Sequence, residues 1–209
     1  MVILLNCSFR GEKSNSNYFL GLLEGLLEEP CERIQLNRIT DASVLEEKLA
    51  TADALVLGMP LYVDGVPAQA VELMERLYAD GAGSYGQLAV YVVSNLGFYE
   101  AEQTQIQLAI VKNWCERMGL TYGGALAIGA GEMMGGLRNV PMDQGPNKAM
   151  GEGLKKLASH ISAHSVMENA FVQPTGFPRW MYLLAAQMNW APQAKKNGLK
   201  RKEIRRRRP

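Results

Sequence analysis

The sequence predicts a doubly wound α/β fold built on a parallel sheet of five strands in the order 2-1-3-4-5. Three observations predict it. Short apolar runs alternate with helix-period segments about five times over roughly 165 residues, the pattern of strand-helix-strand units. Polar loops follow the first, third and fourth apolar runs, which suits that strand order and puts its switch point between strands one and three. No G-x-G-x-x-G follows the first run, which sets aside the other common doubly wound order. At 209 residues and 47% hydrophobic, the chain is long enough for one sizeable core with an appendage.

Each element has its own justification. Val2 to Leu5 is an unbroken apolar run, read as a buried strand, and Asn6 to Asn17 is a polar loop. Phe19, Leu20, Leu22, Leu23, Leu26 and Leu27 make the wide apolar face of a first helix, which Pro30 is expected to stop. Cys31 to Leu36 reads as a second strand, and Ser43 with Glu46 fits a capping box for a short second helix ending near Ala50. Ala54 to Leu57 closes on Gly58 and breaks at Pro60; a helix then opens at Pro67 with Ala70, Val71, Met74 and Leu77 on one face. After a glycine-rich connection, Gly81 to Gly86, come the strand Leu88 to Val93 and a helix from about Glu102 to Met118 with Ile106, Ile110, Trp114 and Met118 at helical spacing. Thr121 to Ile128 is the fifth strand, and Met150, Leu154, Leu157, Ala158 and Ile161 mark a fifth helix. The expected organisation is a domain over residues 1–168 and an apolar helix with a basic tail over residues 169–209.

Composition narrows the function. No run approaches the roughly 18 apolar residues of a membrane span, and the polar turn after Leu5 argues against a signal peptide, so a cytoplasmic protein is expected. Cys7, Cys31 and Cys115 lack the paired spacing of a metal or disulfide framework. Net charge is +1, but Lys195 to Pro209 holds nine Lys or Arg and one Glu, leaving a mildly acidic body before it.

Three loops carry the chemistry. Ser8, Arg10, Ser14, Asn15 and Ser16 stand just ahead of a helix N-terminus, where free N–H groups and the helix dipole favour an anion; plain N-capping by Ser14 or Asn15 is the simpler use of some of them. Pro60, Leu61, Tyr62, Val63 and Asp64 follow the third strand with a rigid turn and an aromatic face. Asn95, Leu96, Gly97, Phe98, Tyr99 and Glu100 follow the fourth, with a small residue for close approach and two rings to stack or fence. In the proposed strand order the three converge on one crevice suited to a mononucleotide with a large planar ring. No P-loop is present, which excludes the common NTPase class.

These residues resemble the flavodoxin-like NAD(P)H-dependent FMN reductases and quinone reductases. NCSFRGEKSNSN is similar to that family's first-loop pattern, and GMPLYVDGVPAQAVELMERL to its Ser-Pro-x-Tyr motif and following helix; SNLGFYE occupies the place of a small-residue loop near the flavin ring. Cys7, Phe9 and Met59 depart from the family pattern. The resemblance implies FMN with its phosphate held by Ser8, Arg10, Ser14, Asn15 and Ser16. The ring would lie between residues 60–64 and 95–100, with backbone N–H groups near Leu96 and Gly97 facing its N1–C2=O edge. NAD(P)H would be the hydride donor and a small acceptor such as a quinone or free flavin the oxidant; the flavin itself carries the chemistry, so no catalytic acid or base is named. Tyr62, Tyr99 and Glu100 are candidates for shaping the acceptor pocket. An electron carrier of flavodoxin type, without nicotinamide oxidation, is the alternative.

The remaining features have plainer readings. His160 and His164, four apart, suit solvent-facing or capping roles better than a metal site, and Trp114 suits the core. Gly129 to Asn147, rich in Met and Gly, is read as a lid, an oligomer contact or an irregular loop. Phe177 to Trp190 is apolar almost all round and needs cover from its own domain, a second copy in a homo-oligomer, or a membrane surface; nucleic acid is the least favoured partner of the basic tail.

Overall fold

The structure is a computed structural model that describes residues 1–79, 81, 83–86, 88–200 and 203. Six parallel strands form one sheet in the order β2-β1-β3-β4-β5-β6: β1 Val2–Asn6, β2 Cys31–Gln35, β3 Ala54–Pro60, β4 Ala89–Asn95, β5 Thr121–Ile128 and β6 Ala170–Val172. The first five follow the expected order. The sixth was not foreseen: three residues of the expected extension pair with Leu126, Ala127 and Ile128 and lengthen the sheet at one edge.

Strands buried on both faces explain the unbroken apolar runs. Ile3 and Leu5 point into one core, where they meet α2 (Ala42–Thr51), α3 (Ala68–Ala79) and α4 (Gln105–Met118); Val2 and Leu4 point into the other, against α1 (Asn15–Glu24), α5 (Gly131–Gly136) and α6 (Lys148–Ser162). Trp114 is buried as expected, and its indole N–H donates to the Met74 carbonyl at 3.0 Å, tying α4 to α3. The phase of α4 differs from the expected stripe. Leu108, Val111, Cys115 and Met118 are buried while Ile106 and Ile110 face solvent.

Caps and ends also differ in detail. α1 ends at Gly25 rather than at Pro30, with Leu26 and Leu27 still packed on the core. The cap of α2 is Asp41, whose carboxylate accepts from the Ser43 N–H at 3.0 Å; Glu46 pairs instead with Arg76. Within the stretch 129–147, α5 and a buried Met134 replace the expected irregularity. His160 Nδ1 lies 2.8 Å from the Ser165 hydroxyl and His164 is exposed beyond the end of α6. Residue 82 of the glycine-rich connection and residues 201, 202 and 204–209 of the basic run lie outside the described residues. The final helix, α7 (Arg179–Lys196), starts at Pro178 and carries Pro192 inside it.

Candidate functional site

The first loop is organised by Asn6, a buried residue at the C-terminal end of β1. Its amide donates to the Gly11 carbonyl (2.9 Å), the Ser14 hydroxyl (3.2 Å) and Gln35 Oε1 (2.6 Å), and its Oδ1 accepts from the Ser8 N–H at 3.2 Å. Gly11 takes φ +54°, a left-handed turn that brings its carbonyl back toward Asn6 and Ser14. Ser14 is the N-cap of α1: its hydroxyl donates to the Gly11 carbonyl at 2.7 Å and accepts from the Asn17 N–H at 3.1 Å. The capping use of Ser14 therefore prevails, because both sides of its hydroxyl are engaged.

What remains is a set of unengaged donors. Among the described residues the N–H groups of Asn15 and Ser16, at the first turn of α1, have no acceptor. The Ser8 and Ser16 hydroxyls, each 1% exposed, accept from the Arg10 N–H and from the Asn95 amide (2.7 Å) and donate to nothing described. Arg10 is exposed and makes no ion pair among the described residues. A cation, two buried hydroxyls and two amides at a helix N-terminus are the donors an anion would require.

The second loop is held by Gln107, which is wholly buried in α4. Its amide donates to the carbonyls of Pro60 and Gly65, both at 3.0 Å, and its Oε1 accepts from Ser94. Tyr62 and Gly65 close a tight turn whose tip, Val63 and Asp64, has φ of +47° and +56°. A β-branched residue there is strained by about 1–3 kcal/mol.

The third loop is laced to the turn after β5. The Ala130 N–H donates to the Phe98 carbonyl and the Gly131 N–H to that of Leu96, at 2.5 and 2.7 Å. The Leu96 N–H is taken by the Ile128 carbonyl at 3.3 Å, whereas the Gly97 N–H has no partner among the described residues. So of the two amides expected at the flavin edge one is engaged.

Eleven of the expected residues line a single open cleft: Ser8, Arg10, Ser14, Asn15, Ser16, Pro60, Leu61, Tyr62, Asn95, Leu96 and Gly97, together with Glu132. Clefts of larger volume lie along α2 and between α3 and α4, away from the strand ends; the switch-point cleft is the one that gathers all three loops. Five expected residues stand outside its lining. Val63 and Asp64 form the projecting turn tip, Phe98 is 62% exposed, and Tyr99 and Glu100 are turned toward α7. The Tyr99 hydroxyl donates to the Phe177 carbonyl at 2.9 Å, its ring packs on Tyr182 with centroids 5.8 Å apart, and Glu100 pairs with Arg179. Tyr182 in turn donates to the Gly97 carbonyl, and its phenol pKa is raised by burial and then by the nearby Glu132 and Glu100.

The three departures from the family pattern are all away from the cleft. Cys7 and Met59 are fully buried in the core, and burial pushes the Cys7 thiol up to about 12. Phe9 is half exposed. Asn6, Gln107 and Glu132 were missed by sequence reasoning. Asn6 stood at the start of a stretch read as a polar loop and Gln107 off the expected apolar stripe of α4, so neither carried a signal.

No known family model matches the sequence, and no curated protein matches it. Among solved structures the chain is similar to an NADH:FMN oxidoreductase in its apo form (TM-score 0.59, 11% identity, covering 80% of this chain and 90% of that one). It is also similar to an NADPH-quinone reductase of P. pentosaceus (0.55, 14%, 75% and 95%) and to a flavodoxin of Streptococcus pneumonia TIGR4 (0.53, 16%, 78% and 97%). This chain has a flavodoxin-like fold. The crevice where flavodoxin-like sheets place a ligand, outside the strand ends at the β1/β3 switch, is the one lined by Arg10, Tyr62 and Gly97.

Proposed function

We propose that the protein is an FMN-dependent oxidoreductase that takes hydride from NAD(P)H and reduces a small acceptor such as a quinone or free flavin. The observation that carries this reading is the cleft itself, with an anion cradle at one end and Pro60, Leu61, Tyr62 and Gly97 at the other. The donor set fits the group: the Asn15 and Ser16 amides, the Ser8 and Ser16 hydroxyls and the Arg10 guanidinium are the chemistry a phosphate monoester requires. Bound there, FMN would supply two-electron transfer between nicotinamide and acceptor.

The chain's own part is positional. Asn6 fixes the cradle, Gln107 fixes the Pro60 to Gly65 turn, and Asn95 bridges the two by donating to Ser16 and to the Met59 carbonyl. The unengaged Gly97 N–H is available to a developing negative charge at the ring edge. Tyr62, 41% exposed, walls the open side and limits water there. The similar solved structures named an NADH:FMN oxidoreductase and an NADPH-quinone reductase agree with this chemistry.

The test is direct. The purified protein should show flavin absorbance, or acquire it with FMN, and should bleach and turn over with NADPH when a quinone is added. FMN should bind at least tenfold more tightly than riboflavin, which lacks the phosphate. A colourless protein that ignores FMN and leaves NADPH unoxidised sinks the reading. Bleaching by a reduced protein donor but not by nicotinamide would select the electron carrier instead.

A further inference from the structure

We propose that α7 and the basic run that follows it dock on an anionic membrane surface, with the helix lying flat and its apolar face in the headgroup and acyl boundary. The helix is fastened to the domain by its first turn only on one side, through Arg179 to Glu100, Tyr182 to Gly97 and the Tyr99 ring. At 100° per residue, Trp180, Leu183, Leu184, Met188 and Trp190 share an arc about 160° wide, and Tyr182 lies opposite it. All five are 41 to 67% exposed, and none belongs to either core. A folded domain does not ordinarily hold five such side chains in water on one helix face.

Charge selects the occupant. From residue 170 onward the sequence holds ten Lys or Arg and a single Glu. Lys195 and Lys196 end α7, Lys200 follows, and the run continues through Arg208. A lipid surface bearing anionic headgroups satisfies both features at once, since the arc enters the apolar boundary and the cations meet the headgroups. Trp180 and Trp190, the first and last of the five along the helix, are the residue type that settles at such a boundary. Nucleic acid would engage the cations and leave the arc in water. A second copy packed arc to arc would cover the apolar side chains but bring the cations no anionic partner from its own segment, which holds a single Glu from residue 170 onward. No helix among the described residues is long and apolar enough to cross a membrane, which fits a helix lying on one.

The experiment is sedimentation of the full-length protein with sucrose-loaded phosphatidylcholine vesicles, with and without about 30% phosphatidylserine. Binding is expected to the anionic vesicles only, to weaken with salt, and to shift Trp180 and Trp190 emission to the blue while buried Trp114 stays fixed. The variant Leu183→Gln/Leu184→Gln/Met188→Gln keeps both indoles and is expected to retain the native melting temperature while partitioning about a hundredfold more weakly. Four results would overturn the proposal: no sedimentation with anionic vesicles, equal sedimentation of the triple variant, a lipid-free dimer that the triple variant dissociates, or duplex DNA binding unaffected by the triple variant in a protein that ignores vesicles.

Discussion

The residues that decide the cleft divide into those that build it and those left over to bind. Asn6 builds: replacing it with Leu leaves the Ser8 N–H and Gln35 Oε1 without partners and removes one bond each from the Gly11 carbonyl and the Ser14 hydroxyl, and should lower stability by about 2–3 kcal/mol in urea unfolding. Arg10 is a proposed binder: it is exposed and makes no ion pair among the described residues, so Arg10→Ala should move stability by less than about 0.5 kcal/mol. The same change should weaken FMN by about tenfold or more in a fluorescence titration and leave riboflavin untouched. Cys7 is neither, and pH shows it. Its folded pKa of about 12 stands above its ordinary value of 9.0, so the buried thiol favours the native state fully below pH 9 and loses that contribution as pH rises through 12. Unfolding followed by circular dichroism should set in within that window, and Cys7→Ala should flatten the slope; an unchanged slope would show that another buried group governs it. At this scale the sequence was informative about which candidate residues line the cleft and silent about builders. Hydroxyls, Arg and a helix N-terminus advertise an anion site, whereas Asn6 and Gln107 are single polar side chains in apolar surroundings with no periodic signature.

Between elements, the decisive join is the lacing of the loop after β4 to the turn after β5. At Gly129 a Cβ would sit 2.1 Å from the Tyr99 carbonyl oxygen, which is backbone and cannot rotate away. Gly129→Ala should therefore cost about 3 kcal/mol or more and loosen residues 95–100 with it, seen as a lower melting temperature and faster amide exchange at Gly97. Tyr182→Phe removes only the bond to the Gly97 carbonyl, so about 0.5–1.5 kcal/mol is at stake, and it should appear as local exchange rather than as a shift in the global transition. The five-strand order was legible because β1, β3, β4 and β5 are largely apolar runs buried on both faces, while the partly exposed β2, CERIQ, falls between two helical patterns. β6 was not, since a three-residue edge strand with partly buried side chains has neither length nor alternation to announce it. The α4 stripe was misplaced for a related reason: Ile106 and Ile110 fit a helical period, but tertiary packing chose the face that buries Gln107 beside Leu108 and Val111.

The whole molecule separates its charge and its apolar surface along the chain. Both cores are complete without α7, because the residues that fill them end at Val172. A chain stopped after Gly176 keeps β6, every core residue and the Thr175 bonds to Ala149 and Pro146, and gives up two hydrogen bonds to the domain, Tyr99 to Phe177 and Tyr182 to Gly97, and the exposed Glu100–Arg179 pair. At about 0.5–1.5 kcal/mol for each hydrogen bond and less than 1 kcal/mol for the pair, the loss is about 1–4 kcal/mol, which for a domain of this size lowers the melting temperature by about 16 °C at most. The charge effect is far larger. The shortened chain holds twelve Lys or Arg against twenty Asp or Glu, so a protein of net charge +1 becomes one of −8 and should bind an anion-exchange resin at pH 7 that the full chain passes. A fall of 20 °C or more, or loss of the cooperative transition, would mean that α7 is part of the folded body. A modest fall means that the folded body does not depend on α7, whose apolar arc and cations are then free for a surface outside the domain.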